Sequence, residues 1–288
     1  MIFWNGSISL AIGTAVWLYL RGWRQLNRAN ESDRPPRFWR LLTFLAALLL
    51  LAGALFTPLH HLAVDYFSLH ALQRLLLITV VPVLLLRGNP APVLQAGMPP
   101  QWQTRLAALP QTASRFGVFL IRVTSPVPVW FLFVCTYWLW HDVQVNRLVL
   151  QLGWLHRLEN VTLLGTAVLY WWHILAVSPR LHASMPALWR VGYAALGAVP
   201  VKLVGLVLLF NSKSIYQYSA EITIGNLDIT DQSLGAGIVW VLGGIVFTWT
   251  AVFLMRDWLK VEDDKPHLPE SIWSSETMLA PGFGKSKA

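Results

Sequence analysis

Cysteine is all but missing from this chain. Its 288 residues hold a single one, Cys135, so neither a disulfide framework nor a Cys-x-x-Cys pair can form. Cys135 falls in an apolar run and reads as a small buried residue. Methionine numbers only five, scattered, which excludes a relay of thiolate and thioether ligands for a soft cation such as Cu(I). Any metal must be held mainly by imidazole and carboxylate. The chain has no phosphate-binding glycine loop, no nucleophile elbow and no His-Glu-x-x-His, so hydrolytic and group-transfer chemistry lack their residues and no enzyme is expected. Charge is also scarce at 12%, with 14 acidic against 22 basic residues. The resulting net charge of +8 is spread over several loops without a nucleic-acid-binding module, which excludes a nucleic-acid partner.

What the chain has instead is apolar length. Hydrophobic residues make up 55%, in runs near the ~20 residues that a bilayer core demands. Seven candidate spans are read at 2–20, 39–59, 69–86, 117–140, 152–176, 187–211 and 233–256. The expected fold is therefore all-α, a polytopic membrane bundle of about seven helices over residues 1–260, followed by a polar tail at 261–288.

The basic residues orient it. Arg21, Arg24, Arg28, Arg34, Arg37 and Arg40 follow the first span, Arg87, Arg105 and Arg115 the third, and Lys260, Lys265, Lys285 and Lys287 the last. The alternate connections hold none, only Arg147, and only Lys213. The positive-inside bias gives an outer N-terminus and a cytoplasmic C-terminus. Because the first span precedes its arginines, it is not read as a cleaved signal. The +8 excess then suits a bacterial inner membrane and contact with anionic lipid.

Between the spans, residues 88–111 read as a cytoplasmic connector. The segment 221–230, "EITIGNLDIT", alternates at period two and suggests a short external hairpin. The whole external loop 211–232, with its carboxylates Asp228 and Asp231, is a candidate docking surface. Pro126 and Pro128 predict a kink within the fourth span.

On this topology His60, His61, His70, His141 and His156 gather near the outer face. Arg74 lies one turn below His70, and Glu159 with Asn160 one turn below His156. Lys202 falls at similar depth in "GAVPVKLVGLVLLF". Ionisable groups in hydrocarbon turn inward and pair. Arg74 and Lys202 are therefore expected to flank Glu159, either as a structural network or as the floor of a site capped by His70 and His156. A haem held between His70 and His156 would need facing helices at matching depth, and Arg74 and Asn160 beside them give it no support.

Four segments, "FTPL", "SLHALQRLLL…VVPVLLLRGNP", "LWHDVQVNRLVLQLGWLHRLENVTLLGTAVLYWWHIL" and "DQSLGAGIVWVLGG", with Asp231 and Gln232 opening the last, resemble the CtaG family of cytochrome c oxidase assembly factors over roughly residues 35–258. The resemblance implies a multi-pass bacterial membrane protein that assembles the oxidase, with a role in delivering copper and oxidase subunits as partners. In the family pattern a His is followed four residues later by a second His in span three, and span five carries His-x-x-Glu-His. This chain keeps His70, His156 and Glu159 but has Arg74 and Asn160 at the second positions. Arginine cannot ligate a cation, and asparagine is a poor copper ligand. A reduced copper site of His70, His156 and His141 with His60 or His61 is one expectation. The other is an accessory subunit of a respiratory complex in which an Arg74–Glu159 salt bridge has replaced the metal.

Overall fold

Where the apolar runs are long, the backbone has one economical way to satisfy its own polar groups away from water, the α-helix. The computed structural model describes residues 2–29, 38–56, 58–108, 115–179, 181–211, 214–219 and 229–264, and every regular element among them is helical. The helices are α1 (Ile2–Ala29), α2 (Phe38–Phe56), α3 (Pro58–Leu62), α4 (Phe67–Arg87), α5 (Pro90–Gly97), α6 (Pro100–Ala108), α7 (Arg115–Val123), α8 (Pro126–Trp140), α9 (Val143–Gln151), α10 (Gly153–Leu175), α11 (Ala187–Leu209) and α12 (Asp231–Asp263).

Helices occupy all seven expected segments, but not all are equally apolar. Four, α2, α4, α11 and α12, are long and apolar enough to cross a membrane, and α7 with α8 makes a fifth if the bent pair is one span. The glycines, serines and arginines of α1 and the His-Arg-Glu-Asn set of α10 dilute the remaining two.

Local chemistry sets the boundaries. Asn89 adopts a left-handed conformation (φ 46°), which an asparagine tolerates, and Pro90 then opens α5. Pro126 does not kink a continuous helix as expected. It starts a new one: α7 stops at Val123, and α8 leaves at 62°. Proline has no N–H to give to a preceding turn, so the first helical position is where it fits. Asp142 caps α9, accepting from Gln144 N (2.9 Å) and Val145 N (3.0 Å).

Two hydrophobic clusters hold the bundle. The larger joins α4, α8, α10, α11 and α12 through stacked rings, Phe133 on Tyr170 (4.5 Å), Tyr170 on Tyr193 (5.0 Å) and Trp171 on Phe247 (5.1 Å). Within α4 the backbone widens into a π turn at Leu76–Val80, and Trp171 donates its indole N–H to the Ile78 carbonyl there (2.7 Å). A π turn inserted in an α-helix leaves a carbonyl to satisfy, and Trp171 supplies the donor. The smaller cluster seats α1 on α2 and α5 around Tyr19, Phe44, Leu48 and Val93.

Residues 88–111, read as a connector, thus hold two short helices, one of which anchors α1. Cys135 is exposed on α8 rather than buried, because Phe133 and Tyr137 take the inward face. Most of the expected 221–230 hairpin, Asp228 included, and the tail after 264 lie outside the described residues.

Candidate functional site

Four of the polar residues expected to turn inward, His70, Arg74, His156 and Glu159, are buried at one end of the bundle, where α4, α9, α10 and the segment 214–219 converge. Glu159 is wholly buried at the centre. Its Oε1 accepts a hydrogen bond from Arg74 Nε (2.6 Å) and forms an ion-pair contact with Arg74 Nη2 (2.5 Å), and its Oε2 faces His70 Nε2 at 3.1 Å. Arg74 also donates to Asn146 Oδ1 (2.8 Å), while its Nη1 is buried without a hydrogen-bond partner. On the far side of the ring, His70 Nδ1 meets the Tyr218 hydroxyl at 2.8 Å. One proton assignment serves both contacts: neutral His70 donates Nε2–H to the carboxylate and accepts from Tyr218 at Nδ1. Burial pushes the Tyr218 phenol above its ordinary pKa, which keeps it a donor despite the nearby Arg74.

A second layer lies beside this one. His156 Nε2 contacts Gln73 Oε1 (3.2 Å), and the Gln73 amide reaches the Ala54 carbonyl (2.8 Å) and His60 Nδ1 (3.2 Å). His60 stacks on His156 (4.8 Å), and His156 lies 5.0 Å from the His70 ring. The spacing of His70 and Gln73 (i, i+3) and of His70 and Arg74 (i, i+4) puts all three on the inward face of α4.

The site is closed from above by the chain itself. Tyr216 stacks on Phe67 (4.9 Å) and donates to the His141 carbonyl (2.6 Å), and Ser219 donates to Asp65 (2.7 Å). Below that cover, Asp231 caps α4 from another helix. Its carboxylate accepts from Phe67 N (2.6 Å), from Ser68 N and from the Ser68 hydroxyl, at a helix start whose own cap residue, Tyr66, supplies no side-chain acceptor. Gln232 accepts from Ile215 N (2.6 Å) and so fixes the covering segment. These two residues, singled out in the sequence as a motif, orient His70 rather than line the site.

Other expectations are revised. Lys202 does not flank Glu159. It is half-buried on α11 with its alkyl chain across Gly244 of α12, and it forms no ion pair among the described residues. Val201, Val204, Gly205 and Leu208 take the core-facing stripe of α11, which leaves Lys202 about 100° away. Asn160 is buried but outside the network. Its amide has no hydrogen-bond partner and borders an apolar cavity of about 260 Å³ between α1, α2 and α10. His141 is buried with Nδ1 bonded to the Tyr137 carbonyl (2.7 Å), and burial pushes its pKa down to about 3. His61 is exposed, its ring 5.7 Å from His60. Sequence reasoning missed Gln73, Asn146 and Tyr218. Gln73 carried a signal, a polar residue one turn from His70 in an apolar run. Asn146 and Tyr218 carried none that sets them apart from surface residues.

As a metal site, the cluster fits by spacing and not by charge. One ligand atom each from His70, His156 and Glu159 lies within 4.8 Å of the other two, and two imidazoles with a carboxylate suit a borderline divalent cation. Yet both carboxylate oxygens are already engaged, and the permanently charged Arg74 guanidinium is buried on one of them. A further cation would meet a neutral ion pair and an uncompensated repulsion.

No solved structure matches the chain significantly. Uncharacterized proteins of Mycobacterium bovis and Mycobacterium tuberculosis are each 26% identical to it over 266 residues, or 88% of this chain. The chain spans only 38% of the length of either relative. The description of the cytochrome c oxidase caa3 assembly factor family (Caa3_CtaG) matches residues 17–261, so the chain belongs to that family.

Proposed function

We propose that this chain crosses the bacterial inner membrane seven times and assists maturation of an oxidase subunit at the outer face, without holding copper itself. The observation that carries this reading is the engagement of both Glu159 oxygens by Arg74 and His70. The network ties α4, α9, α10 and the 214–219 cover into one unit at the end of the bundle that the basic residues assign to the outside. Its role is to hold that surface in a fixed shape for an oxidase subunit, not to catalyse. A stable accessory subunit of a respiratory complex would use the same closed network. Stoichiometric co-purification with the oxidase distinguishes it from a transient assembly factor.

A second reading rests on spacing alone. The proximity of His70, His156 and Glu159 supports a copper cargo site if Arg74 swings away. Anaerobic titration of the detergent-purified protein with Cu(I), and aerobic titration with Cu(II), beside a His70→Ala, His156→Ala double variant separates the two. The proposal expects no binding above the variant. Close to one equivalent, abolished in the variant, would overturn it in favour of copper transfer.

A further inference from the structure

At the opposite end of the bundle, about 24 Å along α10 from Glu159 to Leu175, five helix ends enclose a second polar cavity. Its volume is about 400 Å³. Three guanidiniums line it: Arg40 from the first turn of α2, Arg87 from the last turn of α4 and Arg190 from the first turn of α11. One carboxylate, Asp257 of α12, offsets one of these charges. The lining therefore carries a net excess of positive charge in a recess between apolar helices.

Part of this charge has a local use. Arg190 Nη1 lies 3.5 Å from the Ile174 carbonyl at the end of α10, a cap on that helix. Arg40 and Arg87 have no such engagement. Each lies over an aromatic ring, Arg40 over Trp39 (5.7 Å) and Arg87 over Phe253 (5.6 Å), and among the described residues neither forms an ion pair, nor does Asp257. Ring faces hold a guanidinium in place while leaving its N–H fork free to meet an oxyanion. Beside it, the Asn89 side-chain oxygen is buried without a hydrogen-bond partner and awaits a donor. Two aromatic residues of the lining, Trp39 and Phe253, are exposed and give the cavity an open apolar flank.

We propose that this cavity binds the phosphate-bearing headgroup of an anionic phospholipid. Arg40 and Arg87 take the phosphate oxygens through charge-assisted forks. Asn89 and Asp257 accept from headgroup hydroxyls, which a choline headgroup does not have. The exposed Trp39 and Phe253 flank receives the acyl chains. Basic recesses between membrane helices are suited to acidic headgroups, and the net charge here exceeds what one phosphodiester neutralises.

The test is lipid binding to the full-length, detergent-purified protein by native mass spectrometry, with phosphatidylglycerol as the probe and phosphatidylcholine and inorganic phosphate as competitors. Arg40→Gln and Arg87→Gln are each expected to weaken phosphatidylglycerol binding about fivefold, and together about twenty-five-fold, taking ~1 kcal/mol per arginine. Arg87→Lys, which keeps the charge and loses the fork, should fall between. Arg105→Gln, an exposed arginine of α6 outside the cavity, is the control and should change nothing. Unfolding midpoints measured on the same samples separate lost binding from lost folding. Equal binding of phosphatidylcholine, or equal loss in the Arg105 control, would overturn the proposal. Complete competition by millimolar inorganic phosphate would also overturn it, assigning the cavity to a soluble phosphate instead of a lipid.

Discussion

A guanidinium held in the interior of a membrane bundle is costly unless every charge beside it is matched, and Arg74 meets that demand through Glu159 and Asn146. The pair is best understood as mutual dependence. Removing both charges is expected to cost little, whereas removing one leaves the other buried and unmatched. Arg74→Met alone should lower unfolding stability by about 3–5 kcal/mol, and adding Glu159→Gln to it should restore most of that loss. Denaturant unfolding of the two variants beside the parent protein in the same detergent measures both. If the single variant were as stable as the parent, the pair would not be holding the site closed.

Helices of this protein meet where side chains are smallest. On α1, a Cβ added to Gly22 would stand 1.8 Å from the Val93 carbonyl oxygen of α5, and one added to Gly97 of α5 would stand 2.0 Å from the Leu18 carbonyl oxygen of α1. Backbone meets backbone at this crossing, the close approach that small residues permit between membrane helices. Nothing flexible is available to yield. Gly22→Ala or Gly97→Ala should therefore displace α1, destabilising the fold by about 1–3 kcal/mol and exposing α1 to limited proteolysis while the His70–Glu159 end stays protected. Retained protease resistance in both variants would show that the crossing relaxes without cost. The same logic of elements serving one another appears in Asp231, which sits on α12 and caps α4.

For the molecule as a whole, the two polar regions lie at opposite ends of the bundle. The histidine–carboxylate network is at one end, and the three-arginine cavity is at the other. The proposed topology, read from the charge bias, has the network outside and the arginines inside. Cys135 is the chain's one cysteine, so a Cys135→Ser background gives a blank protein for thiol mapping. In that background a membrane-impermeant maleimide should label Ser219→Cys in intact cells and Gln101→Cys only after permeabilisation. The reverse pattern would invert the molecule and move the proposed maturation surface to the cytoplasm.

Sequence alone determined the helical class, the positions of the long helices and the inward turn of His70, Arg74, His156 and Glu159. Each of these follows from short-range rules: apolar run length, the 3.6-residue period and the cost of an unmatched charge in hydrocarbon. The helix pattern could not say which partner each buried charge would find. Arg74 and Lys202 both stood at depths that suggested Glu159. Rotation of α11 about its axis decided against Lys202, and only the packing of Val201, Val204 and Gly205 against α12 sets that rotation. Asn146 and Tyr218 entered the site from a short helix and an irregular segment, where neither residue is set apart in the sequence from an exposed Asn or Tyr. The arginine cavity was equally hidden, because Arg40, Arg87 and Arg190 lie far apart in the chain and come together only where α2, α4 and α11 meet at one end. Depth and composition are properties of the chain, but which residues face one another is fixed by helix rotation and crossing, and those exist only in the assembled bundle.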